Sequence, residues 1–211
     1  GGATVPLVLD QNSEEQGWRR QFNNSFRKAF PVIDDNPDIK VVVFMMAARH
    51  LFQLKTDSSI EDLPENPNYE LVKDGLFRGL DMVVKAGKKV VLVVDNPTLA
   101  EPRGCFFRKT DISVINSYFH SRKMTGCEIP LDRQLELSEQ YRRLLREAKT
   151  KFGGNVEIFD TTPILCDEKN NICSVSRNGR SLYSYTDHIS GYSADLIGQD
   201  LNKFLAEKYA D

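Results

Sequence analysis

Along the chain, short apolar runs rich in β-branched residues alternate with longer segments of helical spacing. Residues 4–9 form a short strand candidate, which Pro6 demotes toward an edge or a loop because proline cannot donate to a ladder. Ser13-Glu14-Glu15-Gln16 has the form of a capping box, opening a helix to about Phe30 that Pro31 is expected to stop. Residues 39–46 are rich in β-branched residues and apolar on both faces, as a buried parallel strand should be. Asn66-Pro67 supplies an N-cap and a first-turn proline, and Leu71, Leu76, Leu80, Met82 and Val83 carry the next helix to Gly87. Residues 90–94 are the second continuous strand and 156–159 the third. Between them lie an irregular region over 96–130 and a helix over 131–152 that ends at Gly153-Gly154. A polar stretch at 183–190 precedes a last helix from about Gly191 to Tyr209.

Strands alternating with long helices call for right-handed crossovers, and so predict a three-layer α/β/α fold on a parallel sheet. With no repeat, low-complexity tract or linker in view, residues 1–211 read as one domain. Function in such sheets sits at the carboxyl ends of the strands. That singles out residues 47–50, 95–97 and 160–163, and the loop before the last helix.

Composition narrows the choice. The 28 basic and 30 acidic side chains give a net charge of −2, so the chain has no electrostatic footprint for nucleic acid. The longest apolar run, residues 41–48, is far short of the roughly 20 residues needed to span a bilayer, which predicts a soluble chain. It opens Gly1-Gly2-Ala3 and shows no signal-peptide pattern, so an address label is expected to be absent or to lie upstream.

The four cysteines fall as two local pairs in stretches that otherwise read as loop. Short loops close most easily, which favours Cys105 with Cys127 and Cys166 with Cys173 over the other two connectivities. Both bonds would place the chain in an oxidising compartment, and the longer loop would gain about 3 kcal/mol from its crosslink. Four unpaired thiols in a cytosolic protein are the alternative. No metal site is expected, because there is no C-x-x-C and no histidine stands at ligand spacing from a cysteine.

Neither a dinucleotide fingerprint nor a phosphate loop occurs. Gly191-Tyr192-Ser193-Ala194-Asp195 is a near miss to the G-x-S-x-G elbow: its last residue is Asp and the preceding stretch is polar, which favours a structural Ser193 in a first helical turn. Asp187-His188-Ile189-Ser190 is a stronger signal, since a histidine on a loop at a sheet edge can serve as general base toward a hydroxyl. The competing reading is a surface histidine beside an aspartate. His120, in the cysteine-bounded region, reads as solvated.

The run from Asn178-Gly179-Arg180 through Tyr185-Thr186-Asp187-His188 to Ser190 resembles the last block of the SGNH-type domain fused to membrane-bound acyltransferases of family 3, the carbohydrate O-acetyltransferases. Gly1-Gly2-Ala3-Thr4-Val5-Pro6-Leu7 is similar to that family's second block, and residues 40–50, ending Ala47-Ala48-Arg49-His50, to its Ala-Ala-Arg-Trp strand. Both cysteine pairs fall where family members carry disulfides. The resemblance spans essentially the whole chain, and implies a flavodoxin-like SGNH fold. It makes His188 the general base and places Arg49 and His50 where polar groups face the substrate.

The departures are specific. The family's nucleophile is the serine of a Gly-Asp-Ser motif on the first strand, and the chain contains no Gly-Asp-Ser. The family's catalytic Asp lies three residues before the histidine, where this chain has Tyr185. Asp187 adjoins His188, and neighbours on an extended loop point apart, so it is a poor orienter of that imidazole. The resemblance therefore implies a piece of a larger membrane protein, lacking its first strand. That protein would pass acetyl groups from acetyl-CoA, used at a transmembrane acyltransferase domain of the same parent chain, to a cell-surface polysaccharide on the extracytoplasmic side. This domain would hold no cofactor of its own. A pseudoenzyme that binds a glycan or a partner and a secreted carbohydrate esterase are the alternatives. The first strand of SGNH folds lies inside the sheet, between the strands near Thr4 and Ile39, so its loss predicts strand exchange in a homodimer or a changed strand order.

Overall fold

In the computed structural model, the residues described are 6–8, 18–45, 51, 69–97, 99, 105, 127–185 and 188–209. The first half holds α1 (Trp18–Asp35), β1 (Val41–Met45), α2 (Tyr69–Lys85) and β2 (Lys89–Val93). Then follow β3 (Glu128–Pro130), α3 (Leu131–Leu137), α4 (Glu139–Phe152), β4 (Val156–Phe159) and a single turn, α5 (Thr162–Leu165). Short strands β5 (Cys166–Asp167), β6 (Ile172–Ser174), β7 (Ser176–Arg177), β8 (Arg180–Ser181), β9 (Tyr183–Tyr185) and β10 (His188–Ile189) lead to α6 (Gly191–Tyr209). These elements form two compact units, Gly1–Asp95 with Glu136–Asp160, and Asn96–Leu135 with Thr161–Asp211.

The first unit carries a parallel sheet in the order β1-β2-β4, with Val41 opposite Lys89 and Val93 opposite Phe159. β2 is its centre. Val90, Val91, Leu92 and Val93 are all buried, as a strand covered on both faces requires. β1 differs from expectation: Phe44 is buried against Phe26 of α1, but Val43 and Met45 are 36% and 49% exposed. On α4, Tyr141, Leu144, Leu145 and Ala148 make one buried stripe at helical spacing.

Pro31 does not stop α1, which continues to Asp35. A proline inside a helix costs about 3 kcal/mol, yet Phe30 and Ile33 on either side of it both pack against the core, and that burial keeps the chain on the helical path. The helix gives way at Asn36, whose side-chain oxygen accepts from the Asp38 N–H at 2.9 Å. The helix expected over 131–152 is likewise two helices, broken at Ser138. That serine's hydroxyl accepts from Arg142 Nε, one turn further along, at 3.1 Å.

Residues 6–8 form no strand. They lie on α2 instead, with the Val8 N–H donating to the Gly75 carbonyl at 3.0 Å and Arg78 Nε donating to the Val8 carbonyl at 2.8 Å. Only glycine at position 79 lets the Pro6 backbone come so close. The remaining residues of the 4–9 strand candidate, and the Ser13–Gln16 and Asn66-Pro67 caps, lie outside the described residues.

The second unit is built from antiparallel ladders where loops were expected. β3, β6 and β5 form a three-stranded sheet in the order β3-β6-β5, with Cys166 directly opposite Cys173. Both expected disulfides are present, Cys105–Cys127 with Cα atoms 5.5 Å apart and Cys166–Cys173 at 4.2 Å. The turn between β5 and β6 is fastened by the Asp167 carboxylate, which accepts from Asn170 Nδ2 at 2.7 Å and from its N–H at 3.1 Å. These bonds hold the Asp167 carboxyl below the usual carboxylate range. β7 and β8 are joined by Asn178-Gly179, both at positive φ, the two-residue turn that matches strand twist.

Candidate active site

His188 belongs to the second unit, and its position is built from the core outward. Leu182 and Tyr183 are buried with Leu99 and Val175, and the Leu182 N–H donates to the Val175 carbonyl at 2.7 Å. The Tyr183 hydroxyl donates to the Pro97 carbonyl at 2.9 Å, satisfying the one polar atom of a buried ring. β9 leaves this anchor and β10 returns antiparallel to it, with Ile189 opposite Tyr183 and His188 opposite Tyr185. The register shifts between His188 and Ile189, an irregularity of the kind that re-aims a side chain. The Ser184 hydroxyl donates to the His188 carbonyl at 3.3 Å, and the His188 side chain is exposed.

α6 starts immediately after this strand. The Ser190 N–H donates to the Leu182 carbonyl at 2.9 Å, and the Ser190 hydroxyl donates to the Ser181 carbonyl at 2.6 Å while accepting from the Ser193 N–H at 3.2 Å. Ser193 stands in the first turn of α6, fully buried, its hydroxyl donating to the Leu182 carbonyl at 2.8 Å. A hydroxyl so enclosed and engaged is structural and is not an exposed nucleophile. Beside this joint the Arg180 guanidinium lies over the Tyr192 ring, 5.0 Å from its centroid.

In the first unit, the carboxyl ends of β2 and β4 carry Asp95 and Asp160. Arg142 of α4 pairs with Asp160, Nη1 at 2.8 Å and Nη2 at 3.4 Å from its two carboxylate oxygens. The buried Tyr141 hydroxyl donates to the Val93 carbonyl at 3.1 Å. Burial, and after it the charge of Asp95, push this phenol well above its ordinary value.

Of the residues singled out in the sequence, His188 and Tyr185 are brought opposite one another in the β9–β10 pair. Arg49, His50, His120 and Asp187 lie outside the described residues. Ser190, Ser181 and the Leu182 carbonyl were not anticipated as a group. A serine directly ahead of a helical pattern is an N-cap signal, and it was the one available pointer to that joint. The Arg142–Asp160 pair has no sequence signature, because its partners come from a helix and a strand end 18 residues apart. Among the described residues no helix is long and apolar enough to cross a membrane.

Helices on a parallel sheet in the order β1-β2-β4 fit an α/β SGNH-like fold. The family model for the SGNH domain fused to AT3 domains matches residues 2–203, and the chain belongs to that family: it is an acyltransferase-associated SGNH domain. Neither the curated proteins nor the solved structures include a match.

Proposed function

We propose that this chain is the extracytoplasmic SGNH-like domain of an O-acyltransferase that passes acetyl groups to hydroxyls of a cell-surface polysaccharide. Membership of a family in which the domain is fused to AT3 domains carries the reading. The two disulfides support an oxidising, extracytoplasmic location. On this reading the parent chain also holds a transmembrane acyltransferase domain, where acetyl-CoA is the acyl donor.

His188 is the general base, and the nucleophile is a serine outside this chain, since no Gly-Asp-Ser occurs within it. The imidazole takes the serine proton as the oxygen–acetyl bond forms, and returns it to the departing group. In the second half it takes the proton of a sugar hydroxyl as that oxygen attacks, and the serine oxygen regains a proton when the ester breaks. Arg49 and His50 contact the acceptor. Tyr185 stands at the position of the family's acid, and Asp187, adjacent to His188, is a poor orienter of its imidazole.

The isolated chain should then be catalytically weak or inert. With p-nitrophenyl acetate, turnover is expected at background. Turnover well above background that disappears in His188→Ala would place a nucleophile within these 211 residues and contradict the assignment. Tyr185 in the place of an acid favours a second reading, a glycan- or partner-binding pseudoenzyme, which a Gly-Asp-Ser in the full gene upstream of Gly1 would oppose.

We also propose that this chain, taken by itself, completes its sheet by strand exchange between two copies or by a changed strand order. Half-exposed Val43 and Met45 on β1, whose strand neighbour among the described residues is β2, support it. Sedimentation of the chain as a monomer with the ordinary five-strand order would oppose it.

A further inference from the structure

We infer that Ser190 is a positioning residue for His188, acting through a hydroxyl that is bonded on both sides; this rests on the reading of His188 as the general base. The hydroxyl donates to the Ser181 carbonyl at 2.6 Å and accepts from the Ser193 N–H at 3.2 Å, while the Ser190 N–H donates to the Leu182 carbonyl at 2.9 Å. The first and third bonds fasten the end of β10 to the β8–β9 junction, and the second begins α6. The place of the exposed His188 depends on the backbone that carries it. That backbone is a two-residue strand, fixed on one side by pairing with Tyr185 and on the other by Ser190. Ser193 stiffens the same joint: its buried hydroxyl also donates to the Leu182 carbonyl, so that oxygen accepts twice.

The two duties of the Ser190 hydroxyl can be separated. Capping a helix needs only an acceptor, and aspartate caps as well as serine. Holding the Ser181 carbonyl needs a donor, which an aspartate carboxylate lacks. Threonine keeps both. If the hydroxyl only caps α6, Ser190→Asp behaves as wild type. If it positions His188, Ser190→Asp fails and Ser190→Thr does not.

The test uses the full-length gene product with p-nitrophenyl acetate as the probe, and hydrogen exchange of the 183–190 segment in the same proteins. Ser190→Asp is expected to lower kcat by roughly tenfold to a hundredfold, the scale of a misplaced catalytic group, with KM within about twofold and faster exchange of that segment. Ser190→Thr is expected to keep wild-type kcat and exchange. Both variants cap the helix, so the comparison survives even if Ser190→Ala fails to fold. Ser190→Asp at the wild-type kcat, or Ser190→Thr as slow as Ser190→Asp, overturns the assignment where His188→Ala is inactive. Full turnover by His188→Ala overturns the base reading itself, and this inference with it.

Discussion

The carbonyl oxygen of Pro6 lies against Gly79 of α2, so close that a Cβ built on that glycine would stand 2.0 Å from it. Gly→Ala in a helix interior ordinarily stabilises by roughly 0.5–1 kcal/mol. Here the sign should reverse. The methyl must displace residues 6–8 and break the Val8–Gly75 and Arg78–Val8 bonds, so Gly79→Ala is expected to cost about 3 kcal/mol or more. Urea unfolding would read this, and a stability unchanged or raised by Gly79→Ala would contradict the packing.

Tyr141 gives the first unit an alkaline limit. Its folded pKa is raised by burial and then by Asp95, above an unfolded value of about 10. The folded state thus holds this proton more tightly. The associated stability is complete below pH ~10 and is lost as pH rises from there toward the folded value. Tyr141→Phe cannot ionise. It should cost about 1 kcal/mol near neutral pH through the lost bond to the Val93 carbonyl, and its stability should fall less steeply above pH ~10. Parallel alkaline declines in the two proteins would count against the buried phenol.

The disulfides should differ in accessibility. Cys166 and Cys173 are buried in the β5–β6 ladder, whereas Cys105 and Cys127 are only partly buried. Thiol titration of the native, unreduced protein should find no reactive thiol, and mild reductant should open Cys105–Cys127 first. On the loop-entropy account, Cys105→Ser with Cys127→Ser costs about 3 kcal/mol. Four reactive thiols before any reduction would remove the support for an oxidising compartment.

Long, strongly patterned elements were legible before any coordinates. β2 carries the continuous apolar run Val90-Val91-Leu92-Val93, β4 lies at the expected 156–159, and α6 spans the residues expected of it, 191–209. What the pattern missed was decided by tertiary contacts or by very short strands. Burial of Phe30 and Ile33 overrode Pro31, and a side chain one turn away, Arg142, engaged Ser138 at the break between α3 and α4. The ladders from β5 to β10 have two or three residues each, too few for alternation to register, although Asn178-Gly179 was a hairpin signal in plain view. At the site, His188 was legible as an isolated residue. The Ser190 joint was not, because its main partners are backbone carbonyls, at Ser181 and Leu182, which no side-chain motif records.

In the proposed function His188 takes the proton in acyl transfer while the attacking serine belongs to the parent protein outside these residues. This role is tested most directly by comparing p-nitrophenyl acetate turnover of the full-length gene product with that of its His188→Ala variant. The expected fall in kcat is roughly 10²- to 10⁴-fold, the usual contribution of a general base, with the variant's folded structure retained. A His188→Ala variant that turns over at the wild-type rate would contradict it.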